Sequence, residues 1–166
     1  PAYLVSAHGL EEDFVNVLVS ASRVSGIVLL LSAGPVINRI GRRRTIAIVL
    51  LVSAVLTGLL GLTSGTLLAV VVVAQPALLS VLFPAALATI GAIGDACHQN
   101  VTYSLVITIA VSLGAGLAPT VLGAFGDLGL GWTGFLAVAV YMVAAVFFMW
   151  RTPEFGREQP APRGAP

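Results

Sequence analysis

The sequence predicts an all-α integral membrane protein, a polytopic bundle of five full transmembrane helices and the end of a sixth. Of its 166 residues, 58% are hydrophobic and only 9% are charged, and the mean hydropathy is +1.03. A soluble domain carries about 25% charged residues, so water could not solvate the surface of this chain. The apolar runs, such as the four consecutive valines at 70–73, lack the alternation of membrane β-strands. Helices are therefore the expected spanning elements.

Five apolar runs are long enough to cross about 30 Å of hydrocarbon, which takes about 20 helical residues. Polar or glycine-containing segments separate them: an acidic turn at 8–13, an arginine-rich turn at 34–44, and loops at 63–65, 91–100 and 126–131. The predicted spans are 14–33, 45–62, 66–89, 101–125 and 132–150.

Several spans have further features in their sequences, such as short loops, prolines, glycines and terminal tryptophans. The loop at 63–65 is so short that the second and third spans are expected to be antiparallel neighbours. Pro76 and Pro84 interrupt the third span, and Gly114 and Gly116 loosen the fourth. The fifth span has a tryptophan at each end, as in the aromatic belts at membrane interfaces.

The two ends of the chain differ in character. Residues 1–7 resemble the tail of a hydrophobic segment already under way, so we expect the chain to be a fragment of a longer protein. Residues 1–151 are then one helical domain. Residues 152–166 are rich in proline, glycine and charge, which predicts a disordered tail.

The arginines predict the orientation of the chain in the membrane. All eight positive residues are arginines, and one face of the predicted bundle receives seven of them, at 39, 42, 43, 44, 151, 157 and 163. The other face receives none, but it does receive the acidic residues at 11–13 and at 127. The positive-inside rule then makes loop 34–44 and the tail cytoplasmic, in a plasma (inner) membrane.

The arginine-rich turn has a recognisable spacing. It reads Gly34-x-x-x-Asn38-Arg39-x-Gly41-Arg42-Arg43-Arg44 and resembles the signature loop of the major facilitator superfamily. That family has an acidic residue where this chain has Asn38, so the loop's ion pair would be lost here. A tight cytoplasmic turn can also be arginine-rich for orientation alone, without any such kinship.

The resemblance implies more about fold and activity. With one full span before the loop and four spans from the loop onward, it implies the C-terminal half of a twelve-helix fold whose N-terminal six-helix half is missing. The segments at 82–87 and 114–116 have a softer likeness to bacterial efflux permeases. The implied activity is secondary active transport of a small solute by alternating access. Gly34, Asn38, Arg39, Gly41, Arg42 and Arg43 would form the gating motif.

Three side chains are candidates for substrate binding. Arg23 lies near the middle of the first span, where a lone charge costs about 3 kcal/mol or more. It is expected to face a cavity and an anionic solute, or a partner in the missing half; the alternative is that it bonds carbonyls between helices. Gln75 beside Pro76 faces a cavity or merely accompanies a packing kink. The resemblance places Arg23, Gln75 and Tyr103 toward the substrate path.

Other classes of function fit poorly. The predicted spans contain no Asp, Glu, His or Cys, so we expect neither an enzyme nor a cofactor. Cys97 and His98 are neighbours in a loop and have no further ligand nearby, so no metal site is expected. The expected partners are the lipid bilayer, a small solute and the missing half, without nucleic acid. A non-transporting membrane scaffold or assembly subunit is the alternative function.

Overall fold

The computed structural model describes residues 4–5, 11–93 and 98–152, and within these ranges all regular structure is helical. Its helices are α1 (Glu12–Ile40), α2 (Arg42–Leu60), α3 (Gly65–Leu79), α4 (Leu82–Ile93), α5 (Gln99–Val111), α6 (Ala118–Asp127) and α7 (Gly131–Arg151), with a π-helical segment at Ser112–Leu117. In the described part of the chain these form five spans long and apolar enough to cross a membrane. The predicted all-α membrane fold is thereby confirmed.

The five spans correspond to these helices in chain order. The first, second and fifth spans are α1, α2 and α7. The third span joins α3 to α4, and the fourth joins α5, the π-helical segment and α6. The third, fourth and fifth spans exceed their predicted bounds by one or two residues at each end, and the first continues seven residues past its predicted end. The second begins three residues early, at Arg42, and ends at Leu60, two residues short of its predicted end.

The arginine-rich turn is much shorter than the sequence predicts. Helix α1 continues to Ile40 and α2 begins at Arg42, so Gly41 is the one residue of 34–44 outside a helix. The prediction was wrong because it equated the end of hydrophobicity with the end of the helix. At 29 residues α1 is about 43 Å long, so it extends beyond a hydrocarbon core of about 30 Å. The helix continues past the hydrocarbon because its backbone groups are hydrogen-bonded within the helix.

The third span breaks once, between its two prolines. Helix α3 runs through Pro76, and the helical structure is interrupted at Ser80 and Val81. A proline ring clashes with the carbonyl four residues earlier, and for Pro84 that carbonyl belongs to Ser80. The Ser80 hydroxyl lies 2.8 Å from the Gly26 carbonyl oxygen of the first span and 2.7 Å from the Ala77 carbonyl oxygen, and its one proton is shared between these two acceptors. A hydrogen bond from Ser80 thus connects the break in the third span to the first span.

The fourth span contains a widened turn. Its π-helical segment, Ser112–Leu117, includes both glycines that the sequence marks as loosening the span. Pro119 follows within α6 and removes one amide donor from the helical ladder. A single π-helical stretch of this kind bends a helix without ending it.

The second span is the centre of the bundle. It packs against the first, third and fifth spans, and the first also packs along the third. Near the arginine-bearing end, Ile46 and Ala47 of α2 form a buried cluster with Ala85 of α4 and with Val146 and Met149 of α7. The fourth span touches the rest through α4 and α7.

The structure covers part of the predicted termini and loops. Leu4 and Val5 are helical and pack in a cluster with Val15 and Leu68, as a hydrophobic segment preceding the first span would. The other residues of that segment lie outside the described ranges. So do Cys97 and the predicted tail from residue 153 onward.

Candidate functional site

The turn between the first two spans depends on Gly41. Its φ of 89° lies in the region that L-residues with a side chain rarely adopt. The Gly41 amide donates to the Ile37 carbonyl at 2.9 Å, which closes the end of α1. The Gly41 carbonyl accepts from the Thr45 amide at 3.0 Å and from the Thr45 hydroxyl at 2.9 Å. One residue therefore reverses the chain with its backbone groups satisfied.

The arginines after Gly41 connect three spans. Arg42 Nη1 donates to the Ala88 carbonyl of the third span at 2.9 Å. Arg43 Nη2 donates to the carbonyls of Met149 and Trp150, at 3.2 Å and 2.6 Å. The Arg43 guanidinium also lies over the Trp150 ring, 5.2 Å from its centroid. The start of the second span is thus bonded to the ends of the third and fifth.

The charges of this junction act on neighbouring helix ends. Three arginines in the first turn of α2 oppose its own macrodipole, whose positive end is there. Met149 and Trp150 belong to the last turn of α7, where intrahelical donors run out, and the Met149 carbonyl accepts only a long bond of 3.4 Å from the Thr152 amide just past the helix. Arg43 supplies both the donors and the positive charge that such an end favours. The positive charge of Arg43, which is unfavourable at the start of α2, is therefore favourable at the end of α7.

The predicted gating motif divides into two parts at Gly41. Gly34, Asn38 and Arg39 lie on α1 and are exposed, and the side chains of Asn38 and Arg39 make no hydrogen bond within the described residues. A methyl group added at Gly34 would meet no atom within 4 Å. Arg42 and Arg43 are half-buried and bonded. In this conformation the contacts come from the α2 side of the motif.

Arg23 is exposed on the first span. The residues that α1 buries include Ser22 and Gly26, which lie on either side of it in sequence. Arg23 points away from that packed face, and no hydrogen bond or ion pair connects it to any other described residue. It is nine residues from the predicted start of the span, about 14 Å into a core of about 30 Å. A guanidinium at that depth requires a cavity or a partner.

Gln75 bonds a neighbouring helix. It is half-buried, and its Nε2 donates to the hydroxyl oxygen of Thr57 on the second span at 3.1 Å. Thr57 is buried, as is Ser53 one turn earlier, whose hydroxyl has no partner among the described residues. The structure therefore gives Gln75 a contact between the second and third spans.

Tyr103 lies close to the gating motif. Its hydroxyl donates to the Leu87 carbonyl of α4 at 3.0 Å, next to the Ala88 carbonyl that accepts from Arg42. Gln99 Nε2 reaches the Gly91 carbonyl of the same helix at 3.3 Å. The end of the third span thus accepts bonds from both the second and the fourth spans.

An apolar cavity is separate from these candidates. It has a volume of about 900 Å³ and lies between the first three spans, with Ser25 and Thr66 as its polar lining residues. Its walls, over the described residues, include neither Arg23, Gln75 nor Tyr103. The three predicted substrate residues therefore do not form one pocket within this chain.

Several contacting groups were missed in the sequence. The acceptors for Arg42 and Arg43 are backbone carbonyls. Every residue has such a carbonyl, so the residue types do not indicate which ones accept these bonds. Gln99 gave a weak signal, since it is a polar residue at the start of a span. Ser80 gave another, since it is a hydroxyl residue four positions before a proline. Within the described residues, no group of three or more His, Cys, Asp and Glu side chains could hold a metal ion.

Comparison with known proteins gives one match. The family model described as Major Facilitator Superfamily matches residues 1–166. No curated protein and no solved structure matches the chain.

Proposed function

The chain belongs to the major facilitator superfamily, a family of membrane transporters, and on that premise we propose that it is the C-terminal six-helix half of a secondary active transporter. It moves a small solute across a plasma (inner) membrane by alternating access, together with an N-terminal six-helix half. The arginine-bearing end of the bundle and the tail from residue 152 face the cytoplasm, as the positive-inside rule requires.

One observation carries the proposal of a solute-binding role. Arg23 lies at mid-depth in the first span, faces away from the packed interior, and has no partner among the described residues. Such a charge is retained only where a hydrated path, an opposing group or a ligand compensates it. An anionic solute supplies that compensation, since carboxylates and phosphates match the planar fork of a guanidinium.

Gln75 and Tyr103 are proposed to complete the path. The Oε1 atom of Gln75 accepts no hydrogen bond from the described residues, so it remains free for a donor group on the solute or for water. Tyr103 contacts the end of the third span beside Arg42, where it couples the path to the gating motif.

The gating motif works in this proposal by making and breaking the bonds of Arg42 and Arg43. These bonds join the second span to the ends of the third and fifth, so they stabilise one relative position of those helices. Opening the cytoplasmic end requires that position to change, and Gly41 is the pivot. Asn38 forms no side-chain bond in the described structure, so the latch lacks a contribution from that position.

The test is transport by the complete protein with Arg23→Ala. We expect uptake or efflux of small carboxylates in vesicles to fall by about tenfold or more, because a charged hydrogen bond is worth about 1.5–3 kcal/mol. Arg23→Lys, which keeps the charge without the fork, should retain part of the activity. Membrane insertion, measured by yield and helicity, should be unchanged.

Two results would refute parts of the proposal. Normal transport by Arg23→Ala would remove Arg23 from the solute path. Absence of transport for anionic, neutral and cationic solutes by the wild-type protein, with correct insertion, would favour a non-transporting membrane scaffold or assembly subunit.

A further inference from the structure

A second apolar groove lies on the outer surface, between the second and fifth spans. It has a volume of about 520 Å³ and runs along Ile48 and Leu51 of α2 and Val143 and Phe147 of α7. Trp150 and Arg44 line its end at the arginine-bearing side of the bundle. The groove is therefore apolar along its length and cationic at one end.

One arginine lines that end, and two more stack on aromatic residues of the groove wall. Arg44 is exposed and has no hydrogen bond or ion pair with any described residue. Arg151 stacks over the Phe147 ring, with its Cζ atom 4.9 Å from the ring centroid. Arg43 stacks over Trp150, but its Nη2 is already bonded to two carbonyls. Arg44 and Arg151 are thus the two cations free to bind a ligand.

We propose that this groove binds an anionic phospholipid of the leaflet at the arginine-bearing end. One acyl chain lies along Ile48, Leu51 and Phe147, and the phosphate contacts Arg44 and Arg151. Basic pockets between membrane helices recognise lipid headgroups in this way, with the apolar stem of each arginine against the hydrocarbon. Neither α2 nor α7 contains an Asp or Glu, so no carboxylate on these helices competes for the arginines.

Charge argues for a lipid and against a second copy of the chain. Copies in one membrane share the same orientation, so a symmetric dimer through this groove would bring both sets of Arg44 and Arg151 together. Like charges facing each other across an interface are unfavourable. An anionic headgroup neutralises the same arginines. The proposal does not depend on transport or on which leaflet is cytoplasmic.

The experiment uses Trp150 as a reporter of the bound lipid. The chain contains two tryptophans, so Trp132→Phe leaves Trp150 as the single one, in the groove wall and 58% exposed. The full chain is reconstituted with phospholipids brominated near the headgroup, which quench an adjacent tryptophan. Phosphatidylglycerol should occupy the groove about fivefold or more over phosphatidylcholine, since each arginine near the surface favours an anionic lipid by roughly that factor.

Matched variants identify the residues responsible. Arg44→Gln with Arg151→Gln should reduce the preference to about onefold, whereas Arg39→Gln, which removes one charge outside the groove, should preserve it. Raising the ionic strength should weaken the preference of the protein with both arginines intact for phosphatidylglycerol over phosphatidylcholine. This measurement tests the proposal even if a variant fails to fold.

Four outcomes would overturn the proposal. The first is equal quenching by phosphatidylglycerol and phosphatidylcholine, and the second is a preference that survives the double substitution. The third is displacement by inorganic phosphate beyond that caused by sodium chloride at the same ionic strength, which would show an anion site without lipid specificity. The fourth is weak quenching by both lipids together with cross-linking of Leu51→Cys between copies, which would show a dimer interface.

Discussion

The second and fourth spans are both apolar and long enough to cross a membrane, but the chain buries them to very different extents. Helix α2 has seven buried residues, including Thr45, Ser53 and Thr57. The fourth span, from Gln99 to Gly126, has none among the residues whose burial is described. Hydropathy therefore identifies both spans without distinguishing a central helix from a peripheral one.

The difference also appears in backbone geometry. The second span is an uninterrupted α-helix surrounded by three neighbours, whereas the fourth contains the π-helical segment and contacts the bundle near its two ends. Packing restrains the second span at many points along its length. The uncovered side of the fourth is the surface against which we propose that the N-terminal half packs.

The largest expected effect concerns the start of the second span, where Arg43 bonds α7. Arg43→Ala removes two guanidinium–carbonyl bonds and the contact with Trp150. We expect the free energy of unfolding in mixed micelles, followed by far-UV circular dichroism, to fall by about 2–3 kcal/mol.

Arg39→Ala is the matched control for that measurement. It removes the same charge from the same end of the bundle, but the structure gives Arg39 no side-chain bond with the described residues. Its expected change is within about 0.5 kcal/mol. Equal losses for the two variants would mean that net charge, and not the bonds to α7, stabilises this end.

A second prediction compares the two spans directly through one substitution. A Cβ at Gly61, at the end of the second span, would lie 3.3 Å from the Trp132 Cα and carbonyl oxygen, whereas one at Gly114 would meet nothing within 4 Å. Gly61→Val should lower the free energy of unfolding by about 1–2 kcal/mol, because a backbone neighbour must move. Gly114→Val should change it by less than about 0.5 kcal/mol. The same micelle titration measures both.

The reverse order would contradict the comparison. If Gly114→Val destabilised the chain more than Gly61→Val, the π-helical segment would be packed closely in solution. In that case the fourth span would not be the exposed surface proposed for the partner half.

The sequence predicted the membrane fold because each span is determined by local composition. Apolar runs, the polar or glycine-containing segments between them and the terminal tryptophans are all local signals, and the family resemblance rested on the spacing around Gly41. The bounds of α1 were missed because a helix can continue beyond the hydrocarbon. The position of the break at Ser80 required knowing that the clash of Pro84 acts four residues upstream.

The contacts of the candidate site were less predictable. Gln75 was identified as a polar residue in an apolar span, but the sequence could not tell whether it faces a cavity or Thr57. Arg42 and Arg43 were identified as motif residues, but their acceptors are carbonyls of distant helices. Such pairings follow from how the spans pack, which depends on all of them at once.

The smallest expected effect concerns the middle of the second span. Thr57→Val keeps the shape of the side chain and removes the acceptor for Gln75, so the half-buried amide loses its partner. Hydrogen bonds between membrane helices average about 0.6 kcal/mol, and we expect a loss of that size in the free energy of unfolding. Thr102→Val on the fourth span is the control, because its hydroxyl bonds no other span and donates only to the carbonyl of His98, the N-cap residue of its own helix. A double-mutant cycle with Gln75→Leu should give a coupling energy close to the whole loss measured for Thr57→Val. A coupling near zero would show that Gln75 is free of Thr57 and available to the proposed solute path.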